Sequence, residues 1–252
     1  GTDYNWTPIG AGNPFAGTFD GQGHTITGIY LKTTTRASGL FSATTGDAVI
    51  KEFRLKNSYY ETSNFRMGSI VAEFSGSMDS VYSDAIMKCD KNKNRFGGLI
   101  GIINGATTIS NCQFAGTLST GDYSGGIVGC IDDGANTEEI VIEHCLFNGQ
   151  IKVAIKGSNV GGICGVALKA KSVMIEDTIS SGDIALADGV ASAIRGSIFG
   201  YIYKNYALKN SYGNKHGDAG STEIGIYGGK SSDVTDSIVG SMKITLGNYV
   251  GA

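Results

Sequence analysis

Proline is nearly missing from this chain, at 2 residues in 252, and tryptophan occurs once. Charge is sparse too, with only 17% of residues Asp, Glu, Lys or Arg. The 20 basic and 23 acidic side chains leave a formal net charge of −3, so no overall field draws the protein to nucleic acid or to an anionic membrane. The longest basic run, Lys88 to Arg95 (KCDKNKNR), is broken by Asp90 and two asparagines and reads as a solvated loop. No apolar stretch approaches the ~20 residues needed to cross a bilayer as a helix, so membrane insertion is not expected. The opening Gly1-Thr2-Asp3, without Met, reads as the start of an excised or processed segment, and the missing leader says nothing about export.

Metal and redox signatures are equally thin. The five cysteines are odd in number, and none stands in a CxxC pair or near a His at zinc-finger spacing, so structural zinc is not expected. Buried free thiols acting as small hydrophobes are the expectation, with a single disulfide as the alternative. His24, His144 and His216 have no Ser or Cys at a recognisable nucleophile elbow. The glycine doublets lack the Lys-Ser/Thr of a phosphate loop. No cofactor is implied.

What the chain has in quantity is glycine, 39 residues, together with Ile, Val, Thr, Ser and Tyr, a profile of many short strands joined by tight bends. A Gly-flanked apolar block recurs seven times. The copies are Gly39-Leu40-Phe41-Ser42, Gly68-Ser69-Ile70-Val71-Ala72, Gly97-Gly98-Leu99-Ile100-Gly101, Gly125-Gly126-Ile127-Val128-Gly129, Gly161-Gly162-Ile163-Cys164-Gly165, Gly196-Ser197-Ile198-Phe199-Gly200 and Gly225-Ile226-Tyr227-Gly228. Their first apolar residues are 30, 29, 28, 36, 35 and 28 positions apart. Tyr249-Val250-Gly251 has the look of an eighth.

Between blocks lies a second segment, Ile109 to Leu118, which aligns without gaps on Ile142 to Ile151 and Ile175 to Ile184, and less fully on Val234 to Ser241. Ile50 to Leu55, Val81 to Ile86 and Leu208 to Gly213 are poorer copies. Apolar and polar residues alternate within it, a strand period of two, and Asn111, His144, Asp177, Asn210 and Asp236 mark a bend. Side-chain caps on the backbone are the expected reason for those residue types.

A unit of about 30 residues holding two or three short strands cannot bury its own apolar face, but units stacked about 4.8 Å apart can share one core. The expected fold is therefore all-β: a single-stranded right-handed parallel β-helix of about seven rungs, filling residues 1–252 as one domain. Residues 1–30, with the single Trp and both prolines, form an N-terminal cap and first rung, and residues 31–252 form the repeats. Leu40, Ile70, Leu99, Ile127, Ile163, Ile198 and Ile226 form one aliphatic ladder. Whether that column or the adjacent Phe41 column faces inward is left open. The C-terminus shows no plug, so further rungs or domains of the parent chain are expected.

The opening Phe15-Ala-Gly17-Thr-Phe19-Asp20-Gly21-Gln-Gly23-His24-Thr-Ile26, followed by Gly39-Leu40-Phe41 and the later Gly-Gly-apolar-apolar-Gly blocks, resembles bacterial surface proteins with GLUG-motif repeats. Ser42, Ala72, Ser69 and Ser197 depart from the motif's glycines. The resemblance implies a secreted or wall-attached bacterial protein, adhesin-like and modular, and assigns it no ligand; a glycan or a host or cell-surface component is the partner expected of a binding module on this scaffold.

Three uses fit such a scaffold. A non-enzymatic binding module would present tyrosines, since rings on a rigid β surface can stack on sugar faces. Tyr201, Tyr203, Tyr206, Tyr212 and Tyr227 are the candidates, with Tyr59-Tyr60 a smaller group. A polysaccharide lyase or hydrolase would need grouped carboxylates to hold calcium or to serve as acid and base. Asp132, Asp133, Glu138 and Glu139 are the best local cluster, Asp132 and Asp133 for catalysis and all four for a metal. A structural stalk would need neither.

Overall fold

The computed structural model describes residues 5–89, 94–135, 138–168, 170–203, 206–209, 211–213, 227–231 and 237–238. Every strand pairing within them is parallel, and the single helical element is a 3-10 turn at Asp133–Ala135. The chain winds as a parallel β-solenoid of about six turns.

Three sheets run the length of the stack. A six-stranded sheet joins Tyr30–Thr33, Tyr59–Thr62, Ile86–Cys89, Thr117–Thr120, Gln150–Val153 and Asp183–Leu186. A five-stranded sheet joins Met67–Gly68, Asn94–Gly97, Asp122–Gly125, Asn159–Gly161 and Ile194–Gly196. The largest, 17-stranded among the described residues, carries the strand that follows each glycine block and the segment beyond it.

The aliphatic ladder forms as the repeat spacing requires. Ile70 donates its N–H to Leu99 O, Leu99 to Ile127 O, Ile127 to Ile163 O and Ile163 to Ile198 O, each at 3.0 to 3.1 Å. Both adjacent columns are buried: Leu40, Ile70, Leu99, Ile127, Ile163 and Ile198 in one, Phe41, Val71, Ile100, Val128, Cys164 and Phe199 in the other. The first column sits in the bend and the second opens the strand, so the chain turns between them and both side chains reach the interior. Ile226 lies outside the described residues, and the Tyr227–Lys230 strand continues the stack by pairing on Phe199–Ile202.

The gapless alignment of the second segment is also its structural register. Ile109 pairs with Ile142 and Ile142 with Ile175, while the Phe114 and Phe147 rings stack at 6.4 Å and 11°. One poorer copy is shifted: Met78, not Val81, pairs with Ile109, and Tyr82 pairs with Gln113, so that copy begins three residues earlier.

The bend residues share a left-handed backbone, with φ +55° at Glu52 and Ser80, +53° at Asn111, +52° at His144 and +47° at Asp177. Asn, Asp and His are the non-glycine residues that best tolerate this region. The expected side-chain caps are not what selects them. Backbone N–H groups of Asn111, His144 and Asp177 are satisfied by Glu143, Glu176 and Lys209 carbonyls in the next rung, and Asn111 Nδ2 donates to the Asp79 carboxylate at 2.7 Å. Asn210 and Asp236 lie outside the described residues.

At the N-terminal end the departing segment adds a further layer under the first rung. Ile9 bridges Phe41, Phe15 bridges Thr44, and Thr18–Thr27 pairs along Val49–Lys56. Pro8 and Pro14 lie in this end layer, where among the described residues no strand calls on their missing N–H groups. All five cysteines are free and buried, and burial pushes the Cys164 thiol up to about 12.

Candidate functional site

Each glycine block folds the five-stranded sheet sharply back along the strand that follows. From the third rung on a closing glycine lets the two walls approach closely, since a Cβ on Gly165 would fall on the backbone of Ser124 and Gly129; Ser42 and Ala72 hold the same place in the first two rungs. The two walls so brought together form an outer corner that runs the length of the stack on the face away from the main core.

One wall contributes the position two residues before the first glycine of each block: Arg66, Arg95, Tyr123, Asn159 and Ile194 in successive rungs. Left-handed φ values of +60°, +76° and +53° at the first three set those side chains toward the corner. The other wall contributes the column Glu73, Ile102, Cys130, Val166 and Tyr201, with Asp132, Leu168 and Tyr203 in the column two positions further along. Ile102, Cys130 and Val166 are fully buried as a second small apolar cluster, covered by Tyr123, Leu168 and Tyr201. The six rungs from Arg36 to Tyr203 span about 24 Å at the usual strand spacing.

Its two ends differ chemically. The C-terminal end is aromatic: Tyr201 and Tyr203 have ring centroids 4.7 Å apart at 45°, and Tyr203 is 44% exposed. Tyr123 lies close enough to feel Tyr203, and burial, then Asp122, raises its phenol above the ordinary value. The N-terminal end is ionic. Arg66 Nη1 donates to Glu73 Oε1 at 2.5 Å, with Arg36 Nε 4.0 Å from the same oxygen, and Asp132 Oδ2 lies 3.3 Å from Arg95 Nε and 3.9 Å from Arg66 Nη2. Burial works against the Arg95 charge, and the Asp132 carboxylate outweighs it, so its pKa is raised. Arg95 also lies 5.9 Å from the centre of the Tyr123 ring, joining the two ends.

Of the tyrosines singled out by sequence, the structure brings Tyr201 and Tyr203 together in this corner. Tyr206 is corrected: at 2% exposure, with its ring 5.1 Å from Phe199, it fills the core and cannot meet a ligand. Tyr212 is half-buried on a different face, in the outward column beyond the left-handed bend, paired with Ile179. Tyr227 pairs with Phe199, and its side chain lies outside the described residues. In the smaller group Tyr60 is buried, whereas Tyr59 stacks on Tyr30 at 5.8 Å. Its phenol is pushed up to about 12, first by its hydrogen bond to Glu61.

The acidic cluster does not converge. Asp132 faces the corner within its arginine pairs, Glu139 pairs with Lys171 at 2.8 Å, and the Glu138 carbonyl accepts the Lys171 N–H. Asp133 opens the 3-10 turn, and its side chain lies outside the described residues. Among the described residues no group of three His, Cys, Asp or Glu side chains is placed to hold a metal ion.

Sequence reasoning missed Tyr123, Arg66, Arg95 and Glu73. A signal existed, since the first three share one repeat position, but their differing chemistry hides the column unless the repeats are stacked. No protein-family model, curated protein or solved structure matches the chain. Fold and corner together define the class: a parallel β-solenoid with an outer corner that is ionic at one end and aromatic at the other.

Proposed function

We propose that this solenoid is a non-enzymatic binding module that holds a carbohydrate chain along its outer corner, as part of a secreted or cell-surface bacterial protein. The observation that carries the reading is the exposed Tyr203 ring held against Tyr201, with Tyr123 and Tyr201 packed on the same buried Ile102, Cys130 and Val166 cluster. Rings fixed on paired strands lose little freedom on binding and offer faces to sugar C–H groups. The corner's six rungs, about 24 Å, match the length of several sugar units. The cell-surface placement rests on the GLUG-like repeats. A non-enzymatic role is favoured by Asp132, whose carboxylate is engaged by two guanidiniums.

A glycan array tests the proposal. Saturable binding that weakens about tenfold in Tyr203→Ala or Tyr123→Ala is expected, in line with loss of a central aromatic contact. No saturable binding would leave a structural stalk. Release of reducing or unsaturated ends from uronate polymers, abolished by Asp132→Ala, would make the protein an enzyme instead.

A further inference from the structure

Just beyond the left-handed bend, Cys112, Cys145, Thr178 and Ser211 form one buried column in successive rungs. Each side chain donates to the carbonyl two residues before it: the Cys112 thiol to Ser110 O at 3.0 Å, the Cys145 thiol to Glu143 O at 3.2 Å, the Thr178 hydroxyl to Glu176 O at 2.8 Å and the Ser211 hydroxyl to Lys209 O at 3.0 Å. The hydroxyls also accept from the rung before, Thr178 Oγ1 from the Cys145 N–H and Ser211 Oγ from the Thr178 N–H, each at 3.3 Å. A hydroxyl does both jobs well, whereas a thiol is a weak donor and a weak acceptor. Two successive thiols in a place that hydroxyls serve better point to a bond that only sulfur can make.

The register brings the pair together. Ser110 pairs with Glu143 and Gln113 with Leu146, and the Leu146 N–H donates to Cys112 O at 2.9 Å. The two cysteines therefore face each other across one rung, with Cα atoms about 4.8 Å apart, inside the ~4.4 to 6.8 Å that a disulfide spans. Cys145 Sγ leans back toward the rung of Cys112, 3.7 Å from Ile109 O. Burial, then the neighbouring Cys145 thiol, holds the Cys112 thiol well above its ordinary pKa. The other thiols are placed differently: Cys130 faces the small cluster under the outer corner and Cys164 the main core, two residues out of register with each other, and Cys89 lies opposite Thr62.

We propose that Cys112 and Cys145 are a disulfide site, a rung-to-rung bond closed by a disulfide donor while the chain folds. The Cys112 thiolate attacks the donor's S–S bond, giving a mixed disulfide and one donor thiol. The Cys145 thiolate then displaces the second donor thiol, so the donor takes up the two electrons and the two protons that the cysteines lose. Both side chains are buried in the finished fold, so exchange precedes closure of the coil around them, and the finished bond is shielded from reductants. The bond stands independently of any ligand at the outer corner.

The test is refolding of the whole reduced chain from urea in mixed oxidised and reduced glutathione, followed by alkylation and peptide mass spectrometry. Wild type should yield the Cys112 and Cys145 peptides joined, with Cys89, Cys130 and Cys164 alkylated. Its thermal midpoint should lie about 5 to 10 °C above that of the reduced chain. Cys112→Ser/Cys145→Ser should fold, since Thr178 and Ser211 already place hydroxyls in this column, and its midpoint should ignore the redox buffer. The peptide map needs no variant. A folded wild type that keeps both thiols alkylated in the oxidising mixture, or joins a different pair, overturns the proposal. So does a joined pair that melts no higher than the reduced chain.

Discussion

The Ile127 N–H donates to the carbonyl of Ile163, 36 residues later, at 3.1 Å, and both side chains are fully buried. Their contact belongs to a column shared by successive turns, so neighbours above and below frame any cavity made there. Ile127→Ala should cost about 2 to 5 kcal/mol, the range for large-to-small changes in a core that cannot collapse. Chemical denaturation followed by circular dichroism measures it. A loss under about 1 kcal/mol would mean the column is not close-packed.

Closing glycines answer to a different constraint. At Gly165 a methyl group would overlap the Ser124 backbone, whereas at Gly46 a Cβ meets nothing within 4 Å. Gly165→Ala should destabilise by about 1 to 3 kcal/mol through overpacking. Gly46→Ala should be neutral or slightly stabilising, because it restricts the unfolded chain. Paired thermal melts of the two variants decide the point, and equal shifts would contradict the close approach of the two walls.

Much of this architecture could be read from the residues, because a solenoid writes its long-range contacts as a local period. The Leu40 and Ile109 columns are aligned sequence blocks before they are ladders. The corner was legible only in part. Tyr201 and Tyr203 stood out by residue type, but their partner Tyr123 is two rungs away and shares its repeat position with arginines. Tyr206 misled for the opposite reason: an amphipathic ring looks the same in sequence whether it fills a core beside Phe199 or faces solvent. The left-handed bend was visible as a run of Asn, His and Asp, yet its cause is a positive φ rather than a cap.

Acid should loosen the bend. Burial works against the Asp79 carboxylate, but hydrogen bonds from Asn111, Ser110 and Ser80 outweigh it and hold its pKa below the ordinary 3.8. A group depressed in the folded state contributes stability above its unfolded pKa and loses it as pH falls through the folded value. Between pH 7 and pH 3 the wild type should therefore lose more stability than Asp79→Asn. Parallel loss in both, followed by urea midpoints, would remove Asp79 from the account.

The register itself can be trapped by cross-linking. Ser119 pairs with Lys152, and Lys152 with Ala185, on the six-stranded sheet, where Lys152 is exposed and the other two are partly so. Neighbouring rungs place paired Cα atoms about 4.8 Å apart, within the ~4.4 to 6.8 Å that a disulfide spans, and two rungs place them beyond it. Mild oxidation of Ser119→Cys/Lys152→Cys should therefore close a disulfide quickly, as mass spectrometry of its peptides would show, while Ser119→Cys/Ala185→Cys should stay reduced. The reverse pattern, or equal rates, would contradict the stacked coils on which the corner depends.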